Sequence, residues 1–138
     1  MKRSANNRIV QSSLAFLAVA MLASCATINK PQSDITFESL RAFEIAFVDE
    51  FAVPGKKFDA AAFDAKVAEG NAKFQDAMNN EKFKARRPVL QDLSNQFKAE
   101  AAHLRKKASA GKVTPALGAE MKRDINDNYN NAIAKKTE

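Results

Sequence analysis

The feature that most constrains this chain is the spacing of its large apolar residues. Between residues 90 and 108 they fall at Leu90, Leu93, Phe97, Ala101, Leu104 and Ala108, in steps of three and four throughout. That spacing puts all six on one face of an α-helix and on no single face of a strand. Three other segments repeat the pattern. One carries Phe37, Leu40, Phe43, Phe47, Val48 and Phe51, and a second carries Phe63, Val67, Phe74 and Met78 with Ala60 and Gly70 beside them. The third carries Leu117, Met121, Ile125, Tyr129 and Ala132. No stretch sustains two-residue alternation, so no strand is expected.

Punctuation residues set the limits of the four helices. The first is expected to start at Asp34 as N-cap and to stop near Ala52, before Pro54 and Gly55. The second starts after Asp59 and runs to about Asn79, with Phe58 and Phe63 at the spacing of a hydrophobic staple. The third has Pro88 in its first turn and ends at Gly111, with Arg105, Lys106 and Lys107 in its last turns, where cations complement the helix dipole. The fourth opens with Thr114 as cap and Pro115 in the first helical position, and continues toward Lys135. Residues 81–87 stay open between a short helix, a loop and an extension kinked near Pro88. Four amphipathic helices of similar length with short links predict an all-α fold, an antiparallel up-down four-helix bundle. The turn from Leu104 through Gly111, Val113 and Thr114 resembles the helix–Gly–Ile/Val–Thr–helix hairpin of short bacterial C-terminal modules, which implies a helical hairpin and no chemistry.

The start of the chain follows different rules. Lys2, Arg3 and Arg8 form a basic region without an acid, and residues 14–23 are ten consecutive apolar residues. A spanning helix needs about 20 apolar residues, so a run this short suits the core of an export signal. Ala23 and Ser24 are small, and Cys25, the only cysteine, follows them. Leu22-Ala23-Ser24-Cys25 resembles the lipobox of bacterial lipoprotein precursors. The resemblance covers residues 1–25. It implies cleavage before Cys25 and acyl chains, palmitate among them, on its sulfur and amine. Acyl burial contributes about 0.8 kcal/mol per CH₂, and two or three chains on one residue hold a small protein firmly. Ala26 stands where an Asp tends to retain Gram-negative lipoproteins in the inner membrane. The resemblance therefore implies the periplasmic face of the outer membrane, with the inner membrane as the alternative. The chain then divides into a signal peptide (1–24), the lipidated cysteine with a polar tether (25–33) and the helical domain (34–138). An ordinary secretory signal with an incidental cysteine is the plainer reading of the same residues.

The mature chain, residues 25–138, has the length of one domain. With Cys25 acylated, no thiol remains for a disulfide, a cysteine-ligated metal or thiol catalysis. The whole sequence carries a net charge of +6. Within the mature chain, residues 25–80 hold 6 basic and 9 acidic side chains, whereas residues 81–112 hold 9 basic and 3 acidic. Arg86, Arg87, Arg105, Lys106 and Lys107 form the centre of this basic block. They are candidates for contact with an anionic surface or an acidic envelope protein; a solvated face matched by the acidic first half is the structural reading. Export argues against nucleic acid as a partner, despite the high pI.

Three further features bear on chemistry. Glu100 and His103 form a Glu-x-x-His, the spacing of di-iron bundles. At 100° per residue, however, His103 lies about 120° from the middle of the apolar stripe and Glu100 about 60°. A second Glu-x-x-His is also lacking, because His103 is the only histidine. No metal or other cofactor is expected. Glu44 falls inside the apolar arc of the first helix, with no second carboxylate on its predicted face. A buried carboxyl must be paired, protonated or near an edge, and Arg41, Arg86 and Arg87 are the candidate partners. There is no Gly-x-Ser-x-Gly and no glycine-rich phosphate loop. The phenylalanines at helical spacing read as core, with a pocket for lipid, haem or metal as the alternative. A non-enzymatic envelope lipoprotein is the expected function, and a ligand-binding bundle the alternative.

Overall fold

The computed structural model describes residues 32–135, with side chains from Thr36 onward. The expected signal segment, with Leu22, Ala23, Ser24 and Cys25, and the expected tether as far as Pro31 lie outside the described residues. The described residues are all-helical: α1 (Gln32–Phe51), α2 (Ala60–Asn79), a 3-10 segment (Glu81–Arg86), α3 (Arg87–Ser109) and α4 (Pro115–Ala134). Among them there is no strand.

The helix ends follow local chemistry. Asp59 accepts a hydrogen bond from the Ala62 amide at 3.1 Å, and Phe58 and Phe63 close the staple with ring centres 5.5 Å apart. Thr114 accepts from the Leu117 amide at 3.2 Å, ahead of Pro115. At the end of α3 the Lys112 amide donates to the Lys107 carbonyl and the Gly111 amide to that of Ala108. With Gly111 at φ +66, this is a Schellman stop. Residues 81–87, left open by the sequence, form the 3-10 segment and the first residue of α3; Asn80 caps the segment by accepting from the Lys82 amide. One boundary differs from expectation. The first helix starts at Gln32, two residues before Asp34. Pro31 immediately precedes it in sequence, and proline is tolerated at a helix start, so a cap at 34 is not required.

One core joins the four helices. Phe37, Leu40, Phe47, Val48 and Phe51 of α1 meet Phe63, Phe74 and Ala77 of α2, Leu90, Leu93, Phe97, Ala101 and Leu104 of α3, and Met121, Ile125, Tyr129 and Ala132 of α4. The phenylalanines pack on one another. Phe47 lies 5.1 Å from Phe63, 5.2 Å from Phe51 and 5.6 Å from Phe97, all tilted or edge-on, the geometry that aromatic quadrupoles favour. Gly70 lets α2 approach this cluster: a Cβ there would lie 2.6 Å from the Phe97 ring and 2.7 Å from Phe43. Polar pairs fix which residues face each other. Arg41 reaches Asn130, Glu44 reaches Tyr129 and Lys122 reaches Asp49 between α1 and α4. Between α2 and α3, Arg105 reaches Asp64 and Arg87 reaches the Met78 carbonyl. No helix among the described residues is long and apolar enough to cross a membrane.

Candidate functional site

Glu44 stands on the core-facing stripe of α1 between Leu40 and Phe47 and is only 3% exposed. Its partner is Tyr129, whose hydroxyl donates to Glu44 Oε1 at 2.6 Å. This corrects the expectation of an arginine partner. Arg41 donates instead to Asn130 at 3.1 Å, Arg86 lies over the Phe37 ring, and Arg87 donates to the Met78 carbonyl and Glu81. The reason is register: α4 brings its tyrosine opposite Glu44, and a phenol supplies a donor without a second charge to desolvate. Burial pushes the Glu44 carboxyl up to about 8; the Tyr129 hydrogen bond opposes that shift, and the charge of Glu100 adds to it. The carboxyl is therefore largely protonated at neutral pH. Tyr129 is held well above the usual phenol range by burial first and then by the charge and hydrogen bond of Glu44.

Glu100 approaches from α3. It is half-buried and accepts from Asn128 Nδ2 at 3.5 Å. Burial and then the charge of Asp124 raise its carboxyl to about 7. A second carboxyl thus bears on Glu44 from another helix, although α1 itself carries none on the face of Glu44. Tyr129 is the signal that could have exposed the arrangement. It is the only tyrosine in the chain, it sits on an apolar stripe, and a buried phenol needs a partner.

His103 is exposed, as the helical geometry predicted. With Glu100, Leu117, Glu120, Met121 and Asp124 it lines an open groove of about 270 Å³ between α3 and α4. Among the described residues, no group of three or more His, Cys, Asp or Glu side chains is placed to hold a metal ion.

The basic residues divide between the two ends of α3. Arg86 and Arg87 sit at its start, Arg105, Lys106 and Lys107 near its end, a separation of about 28 Å at 1.5 Å per residue. The three arginines have partners. Arg105 donates to both Asp64 oxygens, at 3.1 and 3.2 Å, and lies over the Phe58 ring. That fork holds the Asp64 carboxyl below its ordinary range and the guanidinium above its own. Lys106 and Lys107 make no ion pair among the described residues. Comparison with known protein families, with curated proteins and with solved structures finds no match for this chain.

Proposed function

We propose that this protein is a lipoprotein held by acyl chains on Cys25 at the periplasmic face of the bacterial outer membrane, where its helical domain serves as a non-enzymatic interaction or structural component of the envelope. One observation carries the reading: Leu22-Ala23-Ser24-Cys25 closes a basic and then apolar leader, and a helical domain with its own core follows within a few residues. The helix start at Gln32 shortens the tether to residues 26–31.

In this reading the domain is an antiparallel up-down bundle. The pairings support it: along α1, residues 41, 44 and 49 meet residues 130, 129 and 122 of α4, and residues 64 and 78 of α2 meet 105 and 87 of α3. The chemistry of the interior favours a structural role. Glu44 and Tyr129 satisfy each other in the core, and the phenylalanine rings there pack on one another. An envelope protein is the expected partner, met through the basic residues at one or both ends of α3.

Metabolic palmitate labelling of wild type beside Cys25→Ala tests the anchor. Label in wild type alone supports it, and label in both or neither removes it. In-cell crosslinking tests the partner. Replacing Arg105, Lys106 and Lys107, or Arg86 and Arg87, by Gln should lose the crosslinked species while helicity is retained; unchanged crosslinking by both variants contradicts a basic docking face.

A further inference from the structure

The 3-10 segment between α2 and α3 holds Lys82, Lys84 and Arg86 within six residues. It belongs to the same end of the domain as the start of α1. The Arg86 guanidinium lies 5.8 Å from the Phe37 ring centre, and Asn80 and Phe83 line one open groove with Thr36 and Ser39. Lys135 at the end of α4 lines a groove with Val89 near the start of α3, so it shares this end. Arg86 and Arg87 are half-buried and engaged, and Glu81 is taken up by Arg87. Lys82 and Lys84 are exposed and make no ion pair among the described residues. The remaining acids of this end, Asp34, Glu38, Asp76 and Asp92, belong to α1, α2 and α3, whereas the two lysines stand on the link beyond the last turn of α2.

Chain length adds a second argument. Seven residue steps separate Cys25 from Gln32, a reach of at most about 25 Å. Charges respond to an anionic membrane only within about 8 Å at physiological salt. The opposite end, with exposed Lys57 and Lys112, stands a further helix length of about 30 Å away. A short tether also gives the near end a high effective concentration at the surface, so that a weak attraction suffices. Resting on the lipid-anchor reading, we propose that the end of the domain bearing the start of α1 docks onto the phosphate headgroups of the membrane that holds Cys25, with Lys82 and Lys84 as the contacting cations.

The test uses the native acylated protein, purified from membranes and reconstituted into vesicles of phosphatidylcholine alone or mixed equally with phosphatidylglycerol. Lysine acetylation rates are read by peptide mass spectrometry. Lys82 and Lys84 should react roughly three- to five-fold more slowly on the anionic vesicles, as expected for about one favourable headgroup interaction each, and high salt should abolish the difference. Lys57 and Lys112 should react equally on both. Equal rates at Lys82 and Lys84 overturn the proposal, as does protection of Lys57 and Lys112 instead. Intact mass separates the two layers of inference. A chain without acyl mass at Cys25 removes the anchor reading and this docking with it; an acylated chain without lysine protection removes the docking alone.

Discussion

At the scale of single residues, Glu44 makes the stability of this domain depend on pH. Its carboxyl is buried, hydrogen-bonded by Tyr129 and pushed up to about 8. In the unfolded chain it titrates near the ordinary glutamate value. Between roughly pH 4.5 and 8 the folded state thus binds a proton that the unfolded state has released, and stability falls as pH rises through that window. The full effect is on the order of 5 kcal/mol, complete above pH 8 and absent below pH 4. Glu44→Gln keeps an acceptor for Tyr129 but leaves amide donors buried, at a cost of about 1 kcal/mol or more. Urea melts at pH 5 and pH 9 should therefore cross: the variant is the less stable at pH 5 and the more stable at pH 9. Parallel pH profiles for the two proteins would refute the assignment. Gly70 gives a second prediction. Alanine there gains up to about 1 kcal/mol of helix propensity but overlaps the Phe97 and Phe43 rings, which their neighbours hold in place. Gly70→Ala should lower stability by about 1–2 kcal/mol net in denaturant titration, and a stabilised variant would contradict the packing. Neither residue's role follows from one helix read alone, since both depend on what a second helix places opposite.

At the scale of elements, apolar period and end signals carried most of the information. The α3 stripe is buried at all six positions named from its spacing. Asp59 and Thr114 cap as their chemistry requires, and Phe58 staples Phe63. Two stretches were less legible. The start of α1 moved upstream because a plausible cap at Asp34 does not forbid earlier helical residues. Residues 81–87 hold one large apolar side chain, Phe83, and the small Ala85 between charges, too few for a period, and Phe83 is buried only because α2 and α3 converge there. The same link places Lys82 and Lys84 at the domain's end, which charge counting along the sequence merges with Arg105–Lys107 into one block. Gly111 tests the end of α3. Its φ of +66 suits glycine, and Gly111→Ala should destabilise by about 1 kcal/mol in thermal melts. No change would mean that the Schellman stop does not fix the turn.

At the scale of the whole molecule, two stretches of the chain follow separate physics. The proposed address rests on a leader followed by a lone cysteine, and an aromatic-rich helical core supplies the body. The resemblance to a lipobox is legible because four local requirements occur in order. The Glu44–Tyr129–Glu100 group is not, because three helices contribute to it. The proposed partner is legible in neither, since exposed charge carries no identity. The most direct test is the intact mass and N-terminal sequence of the native protein from the envelope fraction. A chain that begins at Cys25 and carries diacylglycerol and fatty acyl mass is the predicted result; a chain that retains Met1 and a free Cys25 thiol would contradict it.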